Sequence, residues 1–412
     1  MSRVHVIGAG LAGLTAALDL VDAGRSVTLY EAGPAAGGRC RSYFDKELDC
    51  RIDNGNHLWL SGNRAIAAFL RRVGAEGSVA GPATSLFPFI DLATGQRWTV
   101  RPNAGRFPWW VLVPSRSVPG AKLSEFAALL ALLRAGPDAT VAETLRPGPL
   151  YDRLLEPLVI AALNTAPATG SASLMAAVIR ETLARGGDAC IPAFPREGLS
   201  ASFIDPALAA LQAGAQIHLG RRVSGLTITD DRVEAIGTTD GSAELAPGDA
   251  VVLAVPAPVA QSLVPGLSAP DAFESIVNVH YRAQADFGAA GFVGLLNGTA
   301  EWVFVKPGIL SVTISAANRL VDRAASDLAA TVWPEVCAAL GLSQPMPTCR
   351  VVKEKRATFA ATPAENRKRP SARTSISNLV LAGDWTATGL PATIEGAIRS
   401  GHTAADILLS AA

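Results

Sequence analysis

The run Val4-His5-Val6-Ile7-Gly8-Ala9-Gly10-Leu11-Ala12-Gly13 limits the possible folds more than any other part of the chain. A short β-branched strand passes through three glycines into Leu11 to Ala23, which has helical apolar spacing, and Ser26 to Tyr30 is again strand-like. That order is a βαβ unit. Gly8, Gly10 and Gly13 let the chain turn tightly and approach a pyrophosphate, whose charge meets the helix N-terminus. The donors there are the backbone amides around Ala9, Leu11 and Ala12. Glu31 closes the second strand, where a carboxylate accepts hydrogen bonds from ribose hydroxyls and disfavours a 2′-phosphate. The unit therefore reads as a dinucleotide site.

Gly37-Gly38-Arg39 follows closely and separates the two common dinucleotides. A second glycine turn with a guanidinium can reach the same pyrophosphate and pair with it bidentately, an addition that an NAD domain does not need. FAD is the expected cofactor. No second nucleotide fingerprint for NAD(P)H is present, so the electron donor is expected to be external and stays unidentified.

A second α/β stretch begins at Pro195-Arg196-Glu197-Gly198, runs as a helix through Leu211, and gives strands near 215 to 219, 233 to 237 and Asp249 to Val255. A third has strand Leu379 to Ala382, the pair Gly383-Asp384, and a helix from about Thr393 to Leu409. The expected fold class is α/β. A discontinuous Rossmann-like FAD-binding domain (1–80, 196–258 and 366–412) carries an inserted α+β substrate-binding domain (81–195 and 259–365). The insert holds the aromatic run Phe107 to Pro114 and an apolar helix at Phe126 to Leu133; either lines or gates an apolar tunnel, or is ordinary core. Ala-rich patches at 127–135 and 324–330 read as helices, and Gly288 to Gly294 as a turn.

Thirty-six basic and thirty-six acidic side chains give zero formal net charge, which removes the attraction that nonspecific nucleic-acid binding needs. Charged residues are only 17% of the chain against about 25% in an average protein. A greasy ligand or a membrane contact accounts for such a surface. Cys40, Cys50, Cys190, Cys337 and Cys349 are odd in number and lack CxxC spacing, which argues against a disulfide framework or zinc and for the cytoplasm. No segment is long and apolar enough to span a bilayer.

Gly8 to Gly13, Glu31, Gly37-Gly38-Arg39, Leu381-Ala382-Gly383-Asp384 and Pro391-Ala392-Thr393-Ile394-Glu395-Gly396-Ala397 together resemble the amine oxidase and phytoene desaturase superfamily. The resemblance implies that Gly383 and Asp384 meet the ribityl chain and pyrophosphate. It also implies that the amides of Thr393 and Ile394 face the flavin pyrimidine edge, and that the backbone of Val223 contacts adenine. A helix N-terminus suits the negative charge that reduced flavin carries. Three stretches are similar to one narrower family, the squalene-associated hydroxysqualene dehydroxylases of hopanoid synthesis. They are Asp53-Asn54-Gly55-Asn56-His57, Glu354 to Phe359, and Ala382 to Thr386 leading into Gly389 to Gly396. That resemblance implies a hydrophobic C30 isoprenoid alcohol as substrate, replacement of its hydroxyl by hydride to give squalene, and contact with other squalene-pathway enzymes.

None of the four tyrosines, Tyr30, Tyr43, Tyr151 and Tyr281, lies beyond position 281, so a tyrosine cage of the amine-oxidase kind from the last third is absent. The resemblance places Asn54, Gly55, Asn56 and His57 near the isoalloxazine. His57 is the first candidate for proton delivery, because an imidazole titrates near neutrality, with Arg356 or a water held by Asn56 as substitutes. Lys353 to Arg373 carries seven basic and two acidic residues, either a solvated loop or an attraction to anionic lipid. Two other functions remain open: a desaturase using oxidised FAD, and a flavin-binding partner without chemistry of its own.

Overall fold

The computed structural model describes residues 2–410. Five parallel strands form the central sheet in the order Ala215–His218, Ser26–Tyr30, Arg3–Ile7, Ala250–Leu253, Leu379–Leu381. Both faces are covered, so the strands are apolar on both sides. Val4, Val6 and Val252 point toward the helices Leu11–Asp22, Arg64–Arg72 and Ile394–Ser410. Ile7, Val251 and Leu253 point toward the antiparallel strands Val223–Thr229, Arg232–Thr238 and Gly241–Glu244. The first and last helices pack closely, since a Cβ at Gly401 would stand 2.4 Å from the Ala12 carbonyl oxygen. This is the Rossmann-like α/β fold expected from the first motif.

A second sheet of seven strands is ordered Cys349–Phe359, Phe273–Tyr281, Ile309–Ile314, Trp302–Lys306, Phe292–Leu296, Phe87–Asp91, Arg97–Val100. The period of two splits its faces. Val277, Val279, Tyr281, Val303, Leu310 and Val312 pack against the helix Ala325–Leu340. The opposite face presents Phe89, Phe292, Trp302 and Phe304, all in one core with Phe194.

Several local expectations change in the folded chain. Lys353 to Arg373 is not a solvated loop: it contains most of the strand Cys349–Phe359 and the short helix Pro363–Arg367. Three of its basic side chains are paired within the protein, Lys355 with Asp322, Arg367 with Asp138, and Lys368 with Asp271 and Glu365, while Arg356 and Arg373 stay exposed. That leaves the segment only part of its positive charge for a lipid surface. Phe126 to Leu133 is split at Ala127 into Leu123–Phe126 and Ala128–Leu133. The expected helix after Gly198 opens with one wide π-type turn at Ser200–Ile204 before Asp205–Leu211. Only Gly288 to Gly291 acts as the turn; Phe292 begins a buried strand. No helix among the described residues is long and apolar enough to cross a membrane.

Candidate functional site

The two glycine turns lie against each other. Gly37 donates its amide to the Ala9 carbonyl at 2.8 Å, and a Cβ on Gly38 would sit 3.5 Å from the Gly10 Cα. Gly13 is needed for packing, because a Cβ there would be 1.9 Å from the Gly8 carbonyl oxygen. Gly10 differs: nothing lies within 4 Å of its Cβ direction, so the space in front of it is open. Glu31 closes the loop, accepting from the amides of Ala9 at 2.9 Å and Gly33 at 2.8 Å. The Ala9 amide is thereby committed to Glu31, which leaves Gly10, Leu11 and Ala12 as the amides at this end of the cleft.

Arg39 meets another sequence-derived candidate directly. Its Nη2 donates to both Asp384 carboxylate oxygens at 2.7 and 2.8 Å, and its Nη1 donates to the Ala357 carbonyl at 2.6 Å. The Asp384 side chain is 8% exposed and that of Arg39 41%, so the pair has a buried acid and a partly open cation. Asp384 sits in a turn made by Gly383, at φ +146°, where a Cβ would collide with Trp385 at 2.5 Å. Arg369 braces the same turn from behind, reaching the carbonyls of Asp384 and Thr386 and the Thr388 hydroxyl. Burial lowers its pKa to about 10, which leaves it charged at neutral pH.

The long helix Ile394–Ser410 begins beside this turn, and the Thr393 hydroxyl caps it by accepting from the Gly396 amide at 3.0 Å. Glu395 is buried and holds the N-terminus of helix Arg64–Arg72 through the Ala65 and Ile66 amides. Val223 opens the first strand of the antiparallel layer and is buried.

The loop Asn54–His57 leaves the strand Cys50–Asp53 and lies against the seven-stranded sheet. Asn54 donates to Glu354 at 3.2 Å. A Cβ on Gly55 would lie 3.1 Å from the Asn278 side-chain nitrogen, a tight approach of the loop to that side chain. Asn56 donates to Ser311 at 2.7 Å and Thr313 at 3.0 Å. His57 is half-buried with no side-chain hydrogen bond among the described residues. Desolvation lowers its pKa to about 4, Lys306 and Arg39 push the same way, and Asp53 opposes them. The ring is neutral at pH 7, which corrects the expectation of an imidazole poised near neutrality. Arg356 does not join this group: it is exposed and lies over the Phe273 ring at 5.7 Å.

Sequence reasoning missed the residues beneath this loop. Lys306 pairs with buried Asp53 at 2.7 Å, and Asp53 also accepts from Ser42 and the Leu199 amide, contacts that hold its carboxyl below the usual range. The alternation Trp302, Phe304, Lys306 was the available signal, since it puts a lysine on the aromatic face of a strand. The four tyrosines form no cage: Tyr281 is buried and donates to Ala329, and Tyr30 stacks between His5 and His218. Of the two adjacent tryptophans, Trp110 is core against Phe126 and Trp109 is exposed under Arg116.

An open glycine cradle, a carboxylate at the second strand end, the pair of Arg39 with Asp384 and a capped helix N-terminus fit the pyrophosphate, ribose and ring of a flavin dinucleotide. Such a fold and site define a flavoprotein oxidoreductase. The family described as flavin containing amine oxidoreductase matches residues 11–289 and 296–409. The hydroxysqualene dehydroxylase of Rhodopseudomonas palustris is 48% identical, with 99% of this chain and 98% of that protein covered. That of Zymomonas mobilis is 44% identical with both chains fully covered. The chain belongs to the flavin-containing amine oxidoreductases and, within them, to the hydroxysqualene dehydroxylase family. Its cofactor is FAD. At the level of fold alone it is similar to an oxidoreductase from Methanosarcina mazei, with TM-score 0.72, 16% identity, and 98% and 100% of the two chains covered.

Proposed function

We propose that the protein replaces the allylic hydroxyl of hydroxysqualene with hydride to give squalene. The full-length similarity to proteins named for that reaction is the observation that carries this reading. A probable zeta-carotene desaturase of Synechococcus elongatus covers as much of the chain at only 24% identity, which ranks desaturation second. Bound FAD, once reduced, supplies the hydride. Phe89, Phe194, Phe292, Trp302 and Phe304 form a dry, mostly aromatic core on the sheet face that also carries Ser311 and Thr313, the partners of Asn56, and we assign the lipid to the neighbourhood of that core. Each buried methylene of a C30 chain contributes about 0.8 kcal/mol, and aromatic faces stabilise the cation left when hydroxide departs. In this reading residues 1–80, 196–258 and 366–412 hold the cofactor, and 81–195 and 259–365 hold the lipid.

Departure of hydroxide requires a proton. We assign its delivery to the loop of Asn56 and His57, with His57 taking up its proton only when negative charge in the cleft raises its pKa. Arg356, exposed on Phe273, becomes the weaker substitute. Five of the large exposed apolar side chains, Phe107, Trp109, Leu112, Leu123 and Leu130, fall in one short stretch among Arg106, Arg116, Lys122 and Arg134. We assign reversible contact with an anionic membrane to that stretch, through which a water-insoluble substrate enters. The deciding experiment is anaerobic incubation of dithionite-reduced protein with hydroxysqualene, followed by product analysis. Squalene supports the reading. Conversion of squalene by the oxidised protein would favour the desaturase, and FAD binding without turnover of either lipid a partner protein.

A further inference from the structure

We infer that Asn278, His280, Ser311 and Thr313 are positioning residues that clamp the Asn56 amide, and through it the loop carrying His57, onto the seven-stranded sheet. The inference rests on the reading that this loop serves the reaction. Asn278 faces Thr313, and His280 faces Ser311, as direct cross-strand partners between Phe273–Tyr281 and Ile309–Ile314. All four side chains are buried. The period of two along the second strand brings both hydroxyls to one face, where the Asn56 side chain bridges them.

The hydrogen bonds run in one direction. Asn56 Nδ2 has two protons and gives one to Ser311 Oγ and one to Thr313 Oγ1. Thr313 must then direct its own proton to Asn278 Oδ1 at 2.9 Å, and Ser311 to His280 Nδ1 at 2.7 Å. His280 is thereby fixed as the neutral Nε2–H tautomer, in keeping with burial that lowers its pKa to about 4. Asn278 returns to the loop backbone, donating to the Asn54 carbonyl and accepting from the Asn56 amide, each at 3.4 Å. Five side chains thus over-determine one short loop.

A purely structural network would leave no end open, because an unpaired buried polar atom costs about 1 to 3 kcal/mol. Here both the Asn56 Oδ1 and the His280 Nε2–H are buried without a protein partner. An apolar filling of the same shape would hold the loop on the sheet at lower cost, so the polar groups are kept for the orientation they impose on Asn56 and its neighbour.

The test uses FAD-loaded full-length protein with Ser311→Ala, with Thr313→Val, which keeps shape and removes the hydroxyl, and with Thr313→Ser, which restores it. Amide hydrogen exchange of residues 54 to 58 and steady-state turnover of hydroxysqualene are measured together. Loss of either hydroxyl should speed exchange in this segment and lower kcat by about ten- to a hundredfold, with KM and FAD retention within twofold of wild type. Thr313→Ser should recover both. If either strand variant does not fold, Asn56→Leu, close in shape and without hydrogen-bonding groups, provides the same comparison through its amide exchange. Unchanged exchange with kcat within twofold would overturn the inference, as would loss of FAD in step with turnover, which marks a structural role. If wild-type protein does not convert hydroxysqualene the functional reading falls, while exchange still decides whether the clamp exists.

Discussion

Arg39 donates from one guanidinium nitrogen, Nη2, to both carboxylate oxygens of Asp384, at 2.7 and 2.8 Å, and so ties the second glycine turn to the Gly-Asp turn 345 residues further on. Each was expected to meet the cofactor separately; the fold makes them one unit, with the acid buried and the cation partly open. We propose that the open side of the guanidinium meets the pyrophosphate, while Asp384 holds the other side. Arg39→Lys keeps the charge but loses the planar group that holds Asp384 and the Ala357 carbonyl from two nitrogens at once. FAD affinity should fall by about 1.5 to 3 kcal/mol, the range for a charge-assisted hydrogen bond. Titration of the apoprotein measures it, and an affinity equal to wild type would show that Arg39 serves only Asp384.

Two glycines of the first motif should respond in opposite ways. Gly10→Val has room in the protein, so it should fold with a thermal midpoint near that of wild-type apoprotein and yet retain no FAD, because the new side chain occupies the cradle. Gly13→Ala would press on the Gly8 carbonyl oxygen and should lower stability by about 1 to 3 kcal/mol even without cofactor. Melting curves of the two apoproteins, read beside flavin absorbance, separate packing from binding. A yellow Gly10→Val protein would contradict the placement of the pyrophosphate.

His57 and His280 both have pKa values of about 4, below the ordinary 6.5, so the unfolded chain binds more protons than the folded one between those values. Their contribution to stability is complete above about pH 6.5 and declines as pH falls toward 4, by on the order of 1 to 3 kcal/mol each. His57→Phe should flatten that decline in a pH series of denaturant melts. A decline equally steep in the variant would mean that His57 is not desolvated.

The same variant tests proton delivery. His57→Phe should keep FAD and lower turnover by roughly 10²- to 10⁴-fold if the ring is the acid. The wild-type rate should then fall as pH rises through the pKa of the substrate-bound enzyme, and the variant should lose that limb. A rate within a few-fold of wild type would make His57 a packing residue and leave the proton to a water held by Asn56.

Membrane contact is assigned to Phe107, Trp109 and Leu112 rather than to the partly paired charges after Lys353. Phe107→Ser with Trp109→Ser should reduce sedimentation with phosphatidylglycerol vesicles at least tenfold, with little effect on melting because both side chains are exposed. Sedimentation unchanged by the double substitution would move the contact elsewhere. No sedimentation of wild-type protein would favour transfer from a soluble carrier or another enzyme.

The parts of this protein that could be read from sequence are those whose chemistry lies in neighbouring backbone. Gly8, Gly13, Gly37, Gly38 and Gly383 impose conformations only glycine tolerates or approaches only glycine allows, and the strands and helices beside them carry their own periodicity. Tertiary structure decided what those groups touch. Lys306 reaches Asp53 across 253 residues, Asn56 reaches Thr313 across 257, and Arg369 braces a turn whose motif does not include it. Nothing in local spacing encodes such pairs, because they arise when strands of two sheets come to face one loop. The charge of Lys353 to Arg373 was visible as composition, but its partial neutralisation by Asp138, Asp271 and Asp322 depends on elements brought beside it by folding. Likewise imidazole chemistry belongs to the residue, whereas the pKa of about 4 at His57 belongs to the low-polarity surroundings that only the folded chain creates.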